Sequence, residues 1–309
     1  MLFDRVVSLV IGEAGGKGKE LSGLRIAFNI EKGATQRPNS CTVQVWNTAP
    51  STRTLIETIG NVLILQAGYK EDIGLATIFS GNVTRALTTR EGPDWITELE
   101  IQDGFLEFRD TKTSLSFGKG ATVQQVITKI ASEFKLPVRK LPDDIAKKTY
   151  PAGFAFVGRV RDAMDKACEN AGLEWSIQNR EIQIIKKGGT FKQKAYVLSS
   201  DSGMVGSPKK EIKTMTEKAA AKEGITVKQK GVSKSTEKDA DGETQEVLQV
   251  AGYQVTSLLQ PLIEPGGYVQ IKSKSINGEF FRVEEVTHVG DTHGNDWHTN
   301  LILRYPKNG

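Results

Sequence analysis

VAGYQVTSLLQPLIEPGGYVQIKS (Val250–Ser273), running on into GEFFRVEEVTHVGDTHGNDWHTNLILR (Gly278–Arg304), is the stretch whose reading decides the fold. It gives an apolar element, a turn at Pro261 and Pro265-Gly266-Gly267, and then strands interrupted by one Gly/Asp/His/Asn loop. No residues in it are spaced like a reaction centre. The pattern is that of a β-domain that builds surface.

The same grammar governs the first hundred residues. Val6–Ile11 and Leu24–Ile30 flank a polar, glycine-rich loop, Gly12–Glu20. Leu24, Ile26, Phe28 and Ile30 alternate with Arg25, Ala27 and Asn29, which puts four apolar side chains on one strand face. Cys41–Trp46 alternates in the same way, and Pro50-Ser51 opens a short helix to Ile59, closed at Gly60. Val62–Tyr69, Ile78–Thr89 and Trp95–Gln102 follow as strands, the last two joined at Arg90–Asp94. The 31 glycines in 309 residues exceed the usual share of about 7% and favour many turns. Six or so strands with one short helix predict a small barrel or sandwich.

Near Phe105 the period changes. Thr122 and Gln125 form a capping box, and Val123, Val126, Ile127, Ile130 and Phe134 then share a helical face. A second helix, Arg159–Ala171, stripes Val160, Ala163, Met164, Ala167, Cys168 and Ala171 and stops at Gly172. Leu173–Ile177 and Glu181–Ile185 form a hairpin about Asn179-Arg180. This predicts an α/β module over 106–190. Its stripes carry no polar group and read as core.

Between Lys186 and Lys238 there are 13 lysines against 5 acids, so the rest of the chain is mildly acidic within a total of +4. No aromatic residue occurs between Tyr196 and Tyr253. The low-complexity run from Lys209 to about Glu246 is therefore expected to be a mobile loop or a segment ordered only by a partner. Lysines without interleaved aromatics or arginines favour solvation over nucleic-acid contact. No internal repeat is evident.

Candidate chemistry is thin. His288, His293 and His298 recur every five residues near Asp291 and Asp296. That spacing suits neither a helix face nor a strand face, so surface-loop histidines are preferred over a metal site. The Gly12–Lys19 loop lacks P-loop spacing and precedes a strand, so it reads as a hairpin tip. Glu98 with Glu100, Asp143 with Asp144, and Glu284 with Glu285 lack the apolar frame of a raised-pKa acid. Glu98 and Glu100 instead mark a solvated or pore-facing strand face. Neither Cys41 nor Cys168 has a histidine near it in sequence, and two cysteines make no disulfide framework. The expectation is no enzyme, no metal and no cofactor. No run approaches the ~18 apolar residues of a membrane helix, and the N-terminus lacks the form of a secretory signal.

The C-terminal stretch quoted above, with YVLSSDSGMVGSPKK (Tyr196–Lys210) upstream, closely resembles the C-terminal part of phage tail baseplate hub proteins. NIEKGATQRPNSCTVQVWNTAPSTR (Asn29–Arg53) and GYKEDIGLATIFSGNV (Gly68–Val83) resemble their first tube-like domain. GKGATVQQVITKIA and GRVRDAMDKACENAGLEWSIQNREIQII resemble their inserted α/β domain. The lysine-rich run has no match.

The resemblance implies an α+β, mainly β chain: a tube-like β-barrel over 1–105, the α/β insert over 106–190, and a second β-barrel over 191–309. It implies a homotrimer whose six pseudo-equivalent barrels form a ring, joining the tail tube to the central spike and lining the DNA channel. Its partners would be a spike or puncturing protein, a tail tube or distal tail ring protein, and a tape measure protein, with DNA passing through unbound. The place of work would be the virion tail, after synthesis and assembly in the bacterial cytoplasm. The matching motifs carry over an assembly interface at Gly206, Ser207, Pro208, Ser257, Leu258, Leu259, Pro261, Pro265, Gly266, Asp291 and Trp297. The hub of a phage-derived injection machine, such as a tail-like bacteriocin or a secretion spike, is the closest alternative; a tail-associated cell-wall hydrolase is a more distant one.

Overall fold

The computed structural model describes residues 4–104, 111–139, 141, 143–191, 195–238 and 244–307. The first strand group comprises β1 (Arg5–Gly12), β2 (Lys19–Leu21), β3 (Ile26–Gly33), β4 (Ser40–Trp46), β5 (Val62–Tyr69), β6 (Ala76–Glu91) and β7 (Asp94–Gln102), with helix α1 (Pro50–Ile56) between β4 and β5. The alternation in β3 does what its pattern requires: Ile26, Phe28 and Ile30 are buried while Asn29 and Glu31 face out. Side chains of β1 and β3 enter one core cluster together with those of β4 to β7. β1 and β3 are far apart in hydrogen-bonding order, so the sheet must curl around that core. The Gly12–Lys19 loop is indeed a hairpin tip, since Ile11 pairs with Lys19.

The α/β module contains β8 (Lys112–Phe117), α2 (Val123–Phe134), α3 (Asp143–Ala146), β9 (Phe154–Arg159), α4 (Val160–Ala171), β10 (Leu173–Gln178) and β11 (Glu181–Lys186). The capping box forms: the Gln125 amide donates to Thr122 Oγ1 at 3.2 Å, and the Thr122 amide to Gln125 Oε1 at 2.9 Å. α4 ends on Gly172 in the left-handed region. Both helical stripes meet Trp175, Ile177, Ile182 and Ile184 of the hairpin in a separate core, which includes Cys168.

The C-terminal strands are β12 (Tyr196–Leu198), β13 (Met204–Thr216), β14 (Val232–Lys238), β15 (Thr244–Leu258), β16 (Tyr268–Lys272), β17 (Asn277–Asp291) and β18 (Trp297–Arg304), with α5 (Glu217–Lys222) after β13. They have a third core around Phe281, Val283, Leu301 and Leu303. The two strand groups are not separate. β17 pairs antiparallel with β3 from Glu285–Gly33 to Asp291–Ala27, giving one 14-stranded sheet in the path β13-β15-β18-β17-β3-β4-β7-β6-β5-β1-β2. Among the described residues no pairing closes either group into a hydrogen-bonded barrel. Gly290 makes the seam possible, because a Cβ there would lie 2.3 Å from the Phe28 ring across the pair.

The expectation for 209–246 is corrected over its described part. β13 and β14 flank the first half of β15, forming a three-stranded arm. Met215, Ala220, Leu248 and Val250, with Ile225 and Val232, make a small core under α5. β15 continues past the arm to pair with β18, so the arm inherits its register from the body. The aliphatic residues that order it are scattered among lysines and separated by turns, which hides them in sequence. Asp239–Glu243, at the end of this run, lie outside the described residues.

Candidate functional site

The face of the fused sheet opposite its cores is largely polar, and it crosses the seam with Val289 as the apolar position there. One cross-strand row runs Thr256, Asn300, Thr287, Glu31 through β15, β18, β17 and β3. The adjacent row runs His298, Val289, Asn29, Thr42, Glu100 and Arg85 through β18, β17, β3, β4, β7 and β6. These positions are half-buried or exposed, and except at Arg85 their sequence neighbours are buried, as the two-residue period of a strand demands. Thr256 Oγ1 and Asn300 Oδ1 are 2.7 Å apart, Gln44 donates to Glu98 at 2.9 Å, and Arg85 pairs with Glu100 at 2.7 Å. Glu98 and Glu100 thus belong to a solvated ladder, and each has a polar cross-strand partner.

Beside this face, a polar joint locks the α/β module against both strand groups. The β10–β11 turn holds Asn179 and Arg180 at φ 53° and 64°, a strained pair for non-glycine residues. Its contacts offset the strain. The Arg180 amide donates to Asp103 at 2.8 Å, its guanidinium to Asn82 at 2.9 Å, and Asn179 accepts from buried Lys32 at 3.1 Å. Asn39 donates to the Ile177 carbonyl at 2.8 Å, and Arg139 grips Glu264 at 2.7 and 3.2 Å. Burial pushes Asp103 up to about 6, against donors from Arg180 and Asn179 and the charge of Lys32. Burial also pushes Glu264 up, but the Arg139 hydrogen bond and the charges of Lys32 and Arg139 outweigh it and leave Glu264 below its ordinary value. Burial lowers Lys32. These are the marks of a structural joint: Asp103 Oδ1, Lys32 and Glu264 are each taken up by a partner from another part of the chain.

The carried-over interface residues fall into two sets. Gly206, Ser207 and Pro208 sit in a bulge of β13, Gly206 and Ser207 exposed, where the register shifts between Val205 and Lys209. The others are packed within the chain. Leu259 and Trp297 belong to the first core, with Leu258 against it. Trp297 meets Phe28 and Tyr69 edge-on at 5.6 and 6.4 Å, with Arg5 over its ring. Asp291 pairs with Arg25 at 2.8 Å, and Ser257, Pro261, Pro265 and Gly266 are buried. In this conformation Leu258, Leu259, Asp291 and Trp297 join the two strand groups of one chain, whereas Pro265 and Gly266 meet Gln183 of the α/β module. Sequence reading missed Lys32, Asp103, Arg139 and Glu264; only their isolation as charged residues in apolar strands or turns could have marked them.

The histidines do not converge. His288 is buried on β17, its Nδ1 2.9 Å from Thr299 Oγ1, which corrects its placement in a surface loop. Burial, with Lys32 nearby, holds it well below its ordinary value. His293 is in the loop, and His298 points to the opposite sheet face. No group of three metal-ligating side chains occurs among the described residues. The lysine-rich run is also largely self-compensated. Over 209–246 nine lysines meet eight acids, and Lys213–Glu223, Lys234–Glu217 and Lys234–Glu246 pair at 2.8–3.2 Å. No described helix is long and apolar enough to cross a membrane.

This architecture is shared with tail proteins of phages. The 43 kDa tail protein of prophage MuSo2 from Shewanella oneidensis aligns over 98% of this chain and 99% of its own, with TM-score 0.62 and 12% identity. The tail protein from Neisseria meningitidis MC58 aligns over 98% and 97%, with TM-score 0.60 and 13% identity. The E. coli c3393 protein, a component of the type VI secretion system, aligns over 96% and 76%, with TM-score 0.56 and 12% identity; it is described as structurally similar to T4 bacteriophage tail proteins gp27 and gp5. No curated protein sequence matches. The chain belongs to the baseplate hub gp41 family, whose sequence profile matches residues 7–221. That family is one of structural tail hubs, and membership implies a place in the virion tail.

Proposed function

We propose that the chain is a non-enzymatic hub that assembles as a homotrimeric ring, each copy contributing two tube-like units: 1–105, which carries the α/β insert (106–190), and 191–309. Six such positions match a three-fold spike to a six-fold tail tube, which are its partners at either end, with a tape measure protein as a further contact. The observation that carries this reading is the polar face that runs across the β3–β17 seam. A conduit for DNA needs a hydrated wall that lacks excess positive charge, because neutralising phosphates with lysine or arginine releases counterions and makes DNA stick. Glu31, Glu98 and Glu100 against Arg85 leave that face weakly acidic. The exposed bulge at Gly206–Pro208 supplies a contact between copies or to the spike.

The test is oligomeric mass by light scattering, alone and with the spike protein. A three-copy assembly is expected; a chain that stays monomeric under both conditions refutes the ring. A net-positive lumen in the assembled particle would refute the conduit. The fold shared with a type VI secretion component supports a second reading, the hub of an injection machine without DNA cargo; absence of packaged DNA from particles bearing the chain would favour it. Peptidoglycan zymograms are expected to show no clearing.

A further inference from the structure

Where the arm meets the body, a cleft of about 960 Å3 is lined by Lys228 and Lys230 from the turn after α5, Tyr268 of β16, Phe280 of β17, and Tyr305 and Lys307 beyond β18. Phe280 is 51% exposed, and Tyr268 meets it edge-on at 6.5 Å with the ring planes 83° apart. Aromatic surface gathered in a concave, solvated site marks a place for another molecule's side chain. The charge of the cleft is one-sided. Glu279, the one carboxylate on its wall, is taken up by Lys230 at 3.1 Å, and Lys230 also lies over the Tyr305 ring at 4.8 Å. Among the described residues Lys228 and Lys307 have no carboxylate partner. Two ammonium groups are therefore left over, one from the arm and one from the body.

Such a cleft fits a chain that brings carboxylates and an apolar side chain together. A single-stranded nucleic acid fits it less well. Stacked bases need open, successive ring faces, whereas Tyr268 and Phe280 stand nearly perpendicular and Lys230 covers a face of Tyr305. No arginine lines the wall to grip phosphates bidentately. We infer that the cleft docks an acidic peptide segment of a partner protein, its carboxylates on Lys228 and Lys307 and an apolar side chain against Phe280. A segment held at both lysines would tie the arm to the body. The inference needs only one copy of the chain and is independent of the ring proposed above.

The experiment is fluorescence anisotropy of the full chain with a short, capped, labelled peptide in which aspartates and glutamates surround one phenylalanine. It is run at about 0.1 M salt, where charges within about 10 Å still interact. Saturable binding is expected. K228E/K307E should weaken it by roughly tenfold, because two attractive contacts become repulsive. Phe280→Ala should weaken it by a similar roughly tenfold through loss of the apolar anchor. K17E/K119E, a charge-matched change at two exposed lysines outside the cleft, should bind like the wild type. Thermal melts check that each variant folds, with K228Q/K307Q replacing K228E/K307E if the latter does not. No saturable binding by the wild type, or an equal loss in K17E/K119E, overturns the site; a three-copy assembly seen alongside would leave the ring standing. A thymidine oligonucleotide that binds more tightly than the peptide, and is lost in K228E/K307E, overturns the peptide in favour of nucleic acid. Self-association without peptide that K228E/K307E abolishes overturns the partner protein and gives the cleft to a second copy.

Discussion

The body of the sheet and the arm that leaves its edge are built from the same β15 strand, yet they are held in different ways. In the body, each strand delivers a bulky aliphatic or aromatic residue at every second position to cores containing Phe79, Trp297 and Phe281. Among its described residues the arm buries Met215, Ala220, Val247, Leu248 and Val250, none of them aromatic, and it relies on backbone pairing and surface ion pairs. Burial of apolar area scales with side-chain size, whereas exposed ion pairs contribute little. The body should therefore unfold as one cooperative unit, and the arm should open first.

The largest effect that could break this contrast is at the seam. Trp297→Ala should cost about 3–5 kcal/mol and lower the denaturant midpoint of the whole body in one transition. If the C-terminal strands melt separately, the seam does not unite the two groups.

The buried joint gives the next effect. Asp103 is raised to about 6 from an ordinary 3.8, so the native state holds a proton that the unfolded chain has lost. Stability from this group is full below about pH 4 and falls as pH rises to about 6, by about 3 kcal/mol. Asp103→Asn should remove that slope in a comparison of melts across pH 4–7; parallel profiles would show that the carboxyl is ionised in the native state.

In the arm, Leu248→Ala should cost about 2 kcal/mol but only locally. Hydrogen exchange of β13 and β14 amides should accelerate while the midpoint of the body stays fixed. Global destabilisation would mean that the arm belongs to the cooperative core. The smallest change is Thr122→Ala, which removes a cap of about 1 kcal/mol and should be read as a small midpoint shift.

Much of the body was legible. The alternation of Ile26, Phe28 and Ile30, the Thr122–Gln125 box, the stripe ending at Gly172 and the Asn179-Arg180 turn all rest on neighbours within a few residues, and each forms as the pattern requires. The arm was misread because its order comes from Leu248 and Val250 meeting Met215 and Ala220 across some thirty residues, which composition does not register. His288 was misplaced for a similar reason: it precedes the Gly290–Asp296 turn and looked like part of it, but β17 runs on to Asp291.

The candidate site divides along the same line. Glu98 and Glu100 declared a polar strand face by alternation alone, but that the face continues through Asn29 into Thr287 and Asn300 depends on the β3–β17 pairing. Trp297 and Leu259 were carried over as contacts between copies and lie in contacts within one copy. The sequence by itself determined which residues form strands and helices and which side of each is apolar, because backbone period and side-chain size are local properties. Only the tertiary structure decided which strand edges meet, that two groups share one sheet, and that Lys32, Asp103 and Glu264 come together, because those outcomes depend on hydrogen bonds and charges brought close from distant parts of the chain.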